Sequence, residues 1–144
     1  MKIKSLFLVS FLAAAGLAAS PTSNLTLHGL QSDFLKYNDA FFYGGLPKAT
    51  TVMWADLSQW DDMGRIERRS DGSFVILVDP KYHVALKQAQ MTLLHEMCHE
   101  KNLLQINIVA GTTKDESEGL EGHGAAFDTC MLNIAQHGAF KDLW

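Results

Sequence analysis

The chain contains the segment His95-Glu96-Met97-Cys98-His99 in the middle of a predicted helix that spans residues 84–103. Residues four apart project from the same side of a helix, so His95 and His99 can both bind one metal ion. Glu96 lies about 100° further round the helix, where it is suited to act as a general base rather than as a ligand. The alternative is a helix that simply carries two surface histidines and a glutamate.

A catalytic zinc site of this spacing needs a third protein ligand and keeps its fourth position open to water. Metzincins have a glycine three residues after the second histidine and a further histidine three residues later. Asn102 and Gln105 occupy those positions here, which excludes that class. We favour His123 as the third ligand, because Gly122 and Gly124 on either side allow a close approach of the backbone. A glutamate ligand is the alternative, and the candidates are Glu116, Glu118 and Glu121.

The rest of the sequence predicts a small α+β fold around this helix. The predicted elements are an N-terminal helix over 27–42, strands over 50–54, 63–69 and 74–78, and a last helix over 122–138. Gly72 supplies the positive φ that a hairpin turn between the last two strands requires. Strands and helices that are segregated along the chain are typical of an α+β fold, here with a small antiparallel-type sheet packed on the later helices.

Composition limits the classes of protein to which the chain can belong. Its 144 residues, 47% of them hydrophobic, are enough for one globular domain and rule out a disordered protein. The formal net charge is −4, whereas a protein that binds nucleic acid through a basic surface has the opposite balance. Arg65, Arg68 and Arg69 form a local basic cluster that we interpret as solvated side chains of the hairpin. We therefore expect no nucleic-acid partner.

Residues 1–19 are predicted to be a signal peptide, which leaves 20–144 as the mature domain. Lys2 and Lys4 precede an uncharged apolar run over 6–17, and small residues follow at 18–20. The run is shorter than the roughly 20 apolar residues of a membrane-spanning helix. We expect a secreted or periplasmic protein with no stable membrane association after cleavage. The alternative is a protein held at the membrane by an uncleaved N-terminal anchor.

Cys98 and Cys130 are the two cysteines of the chain. Cys98 belongs to the motif helix, and Cys130 lies two turns after His123 on the last helix. A shared metal site would bring these helices together, and the thiols can form a disulfide if their Cα atoms lie within about 7 Å. Because export is itself an inference, we favour two free buried thiols over a disulfide.

Segments along nearly the whole mature chain resemble the SprT-like family of zinc metallopeptidases, to which the Spartan proteases belong. In chain order the similar segments are Tyr37-Asn38-Asp39-Ala40-Phe41-Phe42, Gly45-Leu46-Pro47, Val52-Met53-Trp54, Met63-Gly64, Thr92-Leu93-Leu94-His95-Glu96-Met97-Cys98-His99 and Gly122-His123-Gly124-Ala125-Ala126-Phe127. The last two are the most discriminating, because the family takes its third zinc ligand from the histidine of a Gly-His-Gly element.

The resemblance implies a minimal zincin-like domain in which His95, His99 and His123 bind Zn2+. It also implies hydrolysis of peptide bonds by zinc-activated water with Glu96 as general base, and hence a protein or peptide substrate. We do not carry over the family's role in DNA repair, because this chain is acidic and is predicted to be exported. The alternative function is an exported zinc-stabilised binding module or an inactive pseudoprotease.

Two supporting features are predicted beside the site. The strand over 64–69 is the candidate for an exposed sheet edge, which can hold an extended peptide as an added strand. A histidine that binds a metal normally donates its other ring N–H to a carboxylate or a carbonyl group. Glu100, Glu121 and Asp128 are close enough in sequence to serve, and the sequence does not choose among them.

Overall fold

The computed structural model describes residues 24–110 and 123–143. Its elements are the helices α1 (Leu30–Phe41), α2 (Leu86–Ala110) and α3 (Ala125–Gln136), the strands β1 (Thr51–Trp54), β2 (Gly64–Arg68) and β3 (Phe74–Val78), and a 3₁₀ helix at Pro80–Tyr82. The predicted α+β class is confirmed. The predicted signal peptide over 1–19 lies outside the described residues, as do the alternative ligands Glu116, Glu118 and Glu121.

The described strands form one sheet in the order β1-β3-β2. β2 and β3 pair antiparallel, and Gly72 has a φ of +85° in the turn between them, so the predicted hairpin is confirmed. β1 runs parallel to β3, with Thr51 opposite Val75 and Trp54 opposite Val78. The prediction of an antiparallel-type sheet is therefore wrong for this pair. A hairpin turn fixes only its own two strands, whereas the direction of β1 depends on a longer connection that crosses to the far side of β3.

β3 and the middle of α2 supply most of the core. All five residues of β3 are apolar, and Ile76 and Val78 have no exposed surface because β3 is the central strand and α2 packs on the sheet. Leu93, Leu94 and Met97 of α2 are fully buried as well. Burial of these side chains fixes the rotation of α2, and with it the directions in which the residues between them project.

The two outer edges of the sheet differ. Gln31 of α1 closes the edge of β1, because its amide accepts the N–H of Val52 at 2.8 Å and donates to the carbonyl of Thr50 at 3.1 Å. These are the hydrogen bonds that another strand would make. β2 forms the opposite edge, and no strand pairs with its outer side within the described residues. β2 is therefore an edge strand, as predicted.

α2 is seven residues longer at its C-terminal end than the predicted helix, which stopped at residue 103. Residues 104–110 contain neither glycine nor proline, and the first glycine is Gly111. Without such a residue nothing in the local sequence ends the helix, so the predicted boundary was too early. α1 and α3 begin three residues later than predicted, at Leu30 and Ala125, each directly after a glycine N-cap residue.

α3 packs against α2 through one apolar face, formed by Phe127, Cys130 and Ile134. Cys130 forms a disulfide with Cys98 of α2, and their Cα atoms are 5.8 Å apart. Our preference for two free thiols is therefore wrong. Spacing along the chain cannot show how two helices pack, and this packing places the two thiols in contact. The disulfide joins the helix that carries His95 and His99 to the helix that follows His123.

Candidate metal centre

Three histidines converge where the start of α3 meets α2. His95 and His99 are one turn apart on α2, and their Nε2 atoms are separated by 3.1 Å. His123 directly precedes Gly124, the N-cap residue of α3, and its Nε2 atom is 3.1 Å from that of His95. One ring nitrogen from each residue lies within 4.8 Å of the others. The three residues predicted as metal ligands are thus brought together.

The spacing of these nitrogens fits a small metal ion. Two ligands that bind a tetrahedral ion at about 2.0–2.1 Å lie about 3.3 Å apart, close to the 3.1 Å observed for both pairs that include His95. Imidazole nitrogen is a common ligand of zinc and also suits copper, iron and nickel. The donor set therefore fits a transition metal, and zinc is one of the ions that it suits.

The electrostatic surroundings keep two of the imidazoles neutral. Burial, together with the smaller effect of the neighbouring His123, lowers the pKa of His95 to about 4. Burial also lowers the pKa of His99 to about 4, with His95 and His123 as additional causes. At neutral pH both rings therefore carry a free lone pair rather than a second proton. Neutral imidazole is the form that binds a metal ion.

Glu96 is buried between α2 and the beginning of β2, with 6% of its surface exposed. Burial raises the pKa of its carboxyl group to about 8; nearby Asp62 adds to the increase, and Arg65 opposes it. A carboxyl group in this range exchanges protons near neutral pH, which is a property of general acids and bases. The role of Glu96 as general base stays a prediction.

Gly64, the first residue of β2, allows the sheet to approach Glu96 closely. A Cβ atom at this position would lie 2.5 Å from Cγ2 of Thr92 and 2.9 Å from Oε1 of Glu96. The orientation of Thr92 is fixed by the buried ring of His83, whose Nε2 atom is 2.8 Å from the Thr92 hydroxyl. Nδ1 of His83 is 2.6 Å from the carbonyl oxygen of Asp79, so it donates there and Nε2 accepts from Thr92. Only glycine fits between these groups.

Replacement of Gly64 by alanine should lower the free energy of unfolding by about 1–3 kcal/mol, the usual cost of overpacking. Urea unfolding measures the loss. Gly29→Ala is the control for a methyl group that meets nothing within 4 Å, and its loss of stability is limited to the cost of alanine as the N-cap residue of α1. Thr92→Ser removes the clashing methyl group and keeps the hydroxyl, so in combination with Gly64→Ala it should restore part of the stability. A Gly64→Ala variant as stable as the wild type would contradict the close approach.

Glu100 and Asp128, the two described residues among the acids predicted to hold the ligand histidines in place, make no hydrogen bond to them. Glu100 is fully buried and accepts a hydrogen bond from the hydroxyl of Thr50, which precedes β1. Its Oε2 atom has no hydrogen-bond partner among the described residues, and burial raises its pKa to about 7. Asp128 is exposed on the first turn of α3, and Glu121 lies outside the described residues.

The three other histidines of the chain lie in separate local contacts. His83 is the buried residue bonded to Thr92. His28 lies 2.7 Å from Asp33, and His137 lies 3.1 Å from the hydroxyl of Tyr43. Within the part of the chain that the structure describes, His95, His99 and His123 are the only group of three or more His, Cys, Asp or Glu residues placed to hold a metal ion.

Phe127 packs against the three histidines, although no role was predicted for it from the sequence. Its ring centroid lies 4.8, 4.4 and 4.6 Å from those of His95, His99 and His123. The feature of the sequence that could have indicated this contact is the position of Phe127, one helical turn after His123. An apolar residue at that spacing is common on any packed helix, so the sequence alone did not distinguish Phe127 from the rest of the core.

Comparison with the known protein families and with curated proteins finds no match to this chain. The resemblance to SprT-like metallopeptidases therefore rests on the motif residues themselves, and the family and its activity stay predictions. The structure contributes the geometry of the cluster: three imidazoles with converging nitrogens and a buried glutamate beside one of them in sequence.

Proposed function

We propose that this protein is a zinc-dependent metallopeptidase of the SprT-like type, built on a minimal zincin-like domain. The observation that carries the proposal is the convergence of His95, His99 and His123 in a chain where Glu96 directly follows the first of them. A purely structural zinc site closes its fourth position with a protein ligand and has no use for a general base. Three histidines and a buried glutamate favour an enzyme.

Each residue of the site has a defined task in this proposal. His95, His99 and His123 hold the ion through their ring nitrogens. When bound there, zinc polarises the carbonyl group that is attacked and makes water a better nucleophile at neutral pH. The Glu96 carboxylate orients the attacking water, accepts its proton on a carboxylate oxygen and passes that proton to the leaving amine nitrogen. Burial raises the pKa of Glu96, which makes its carboxylate a stronger base than an exposed one.

The outer edge of β2, which pairs with no strand in the part of the chain that the structure describes, favours an extended peptide as substrate. β2 begins at Gly64, against Glu96, and Gln31 closes the other edge of the sheet. A peptide added along β2 as a further strand would therefore run past Glu96. Arg65 of this strand is paired with Asp62 and Glu67, which leaves it poorly suited to bind a phosphate group. We accordingly propose a protein or peptide substrate and no nucleic-acid partner.

Export is part of the proposal. The Cys98–Cys130 disulfide is compatible with a secreted or periplasmic protein, because such compartments are oxidising. Among the helices in the described residues, none has the length and apolar character needed to cross a membrane. We propose that residues 1–19 direct secretion and that residues 20–144 form the mature domain.

The test of the metal site is the zinc content of the purified chain, compared with two single histidine variants. His123→Ala should lose or weaken zinc binding, because it removes one of the three ligands. His137→Ala, which alters an exposed histidine outside the cluster, should keep the wild-type content of a single zinc ion per chain. A folded wild-type chain that binds no zinc when it is offered would overturn the proposal.

The peptidase activity is then tested with an unfolded protein as substrate. The wild-type chain should cleave it, and His123→Ala should not. A chain that binds zinc through the three histidines but cleaves no peptide bond would favour the alternative of a zinc-stabilised binding module or inactive pseudoprotease. Added chelator should stop cleavage, and restored zinc should return it.

A further inference from the structure

The three imidazoles lack the usual source of orientation within the described residues. A histidine that binds a metal is normally held by a hydrogen bond from its second ring nitrogen to a carboxylate, a carbonyl or water. Here the described side-chain contacts of His95, His99 and His123 at hydrogen-bond distance are with one another. Glu100, the nearest buried acid in sequence, is bonded to Thr50 instead. Among the described residues, contacts with neighbouring side chains are what restricts the rotation of the three rings.

Phe127 is an aromatic side chain whose ring contacts all three imidazoles. It is 5% exposed, and its ring lies nearly parallel to that of His99, at an interplanar angle of 26° and a centroid distance of 4.4 Å. The same ring meets His95 at 63° and His123 at 37°. A flat group in contact with all three imidazoles limits the angles that each can adopt. It also excludes water from one side of the cluster.

The position of Phe127 is itself held from two directions. On α3 it lies four residues after His123 and three residues before Cys130, which is joined to Cys98. Phe127 therefore sits between the third candidate ligand and the covalent link to the motif helix. The disulfide restrains the backbone of α3 beside Phe127 and so limits how far this residue can shift from α2.

We propose that Phe127 is a positioning residue of the metal centre, which orients the three imidazoles through ring contacts and supplies the apolar side of the site. This inference rests on the proposed metal-binding function. It predicts that the loss of the flat ring weakens metal binding even though Phe127 has no atom that can act as a ligand.

The experiment compares Phe127→Leu with Ile134→Ala in the full-length chain. Zinc affinity is measured by competition with a chelator, and coordination geometry by the visible absorption of the Co2+-loaded chain. Phe127→Leu should weaken zinc binding about 10- to 100-fold, as is usual when a group that supports metal ligands is removed, and should change the Co2+ spectrum. Phe127→Tyr retains a flat ring and should preserve both the affinity and the spectrum.

Ile134→Ala is the matched control, because Ile134 is buried on the same face of α3 and lies away from the histidines. It should lower the urea midpoint while the Co2+ spectrum stays that of the wild type. Where Phe127→Leu does not fold, Phe127→Met takes its place, because its unbranched, flexible side chain adapts to the space without a flat ring. A folded Leu or Met variant with wild-type affinity and spectrum overturns the role of Phe127 alone. A folded wild-type chain that binds neither zinc nor Co2+ overturns this role together with the metal site.

Discussion

Replacement of Glu96 by glutamine should reduce peptide hydrolysis about 10²- to 10⁴-fold, the range expected when a general base is removed. Glutamine has nearly the same shape and occupies the same buried space beside Gly64, but its amide cannot accept the proton of the attacking water. Because Glu96 is not one of the three converging ligands, zinc binding should persist. The measurements are the cleavage rate of an unfolded protein and the zinc content of the same sample.

Glu100→Gln is the matched control for this variant. Glu100 lies one turn further along α2 and is fully buried, yet its carboxylate is bonded to Thr50 at the start of β1. A glutamine there can still accept that hydrogen bond, so hydrolysis should continue. Full activity in Glu96→Gln would remove Glu96 from the mechanism. Equal losses in both variants would indicate a general effect of altered buried acids.

Removal of the Cys98–Cys130 disulfide should lower the free energy of unfolding by about 3–4 kcal/mol, as expected for a loop closed between cysteines 32 residues apart. The double variant Cys98→Ala/Cys130→Ala is suitable, because both cysteines are buried and alanine adds no polar group. Urea unfolding in the presence of a chelator separates this loss from any effect of metal binding.

Reduction of the wild-type chain provides the control for that experiment. A reducing agent should bring the stability of the wild type down towards that of the double variant, and should leave the double variant unchanged. If reduction left the wild type as stable as before while free thiols became titratable, the disulfide would contribute nothing to the fold. If no thiols became titratable in the folded chain under reducing conditions, the bond would be inaccessible to the reagent there, and the double variant alone decides.

The part of the fold that follows from local spacing was predictable. Apolar residues at helical intervals identified α2, and a spacing of four placed His95 and His99 on one side of it. The flanking glycines singled out His123, and the structure brings it to the other two histidines. Gly72 in turn identified the hairpin of β2 and β3.

The errors concern contacts between segments that are distant in the chain. The parallel pairing of β1 with β3 and the contact of Cys98 with Cys130 both depend on how elements pack, which no local pattern contains. The role of Phe127 was hidden for the same reason, because its contacts with the histidines depend on the approach of α3 to α2. The C-terminal end of α2 is a different case. No residue that terminates a helix occurs before Gly111, so a longer helix was predictable from the sequence, and the predicted end at residue 103 was too early.

The amide of Gln31 has a consequence for self-association. A sheet with two open edges can add copies of itself without limit and so grow into a fibre, whereas a sheet with one blocked edge cannot. Gln31 occupies two hydrogen-bonding groups on the outer side of β1, the Val52 N–H and the Thr50 carbonyl, so two copies of this chain would meet more readily through β2. Polymerisation by edge addition would then stop at a pair, and that pair would block the strand beside Glu96. We therefore expect Gln31 to oppose growth of fibrils by edge addition, whereas β2, unpaired on its outer side within the described residues, can accept a strand from another molecule.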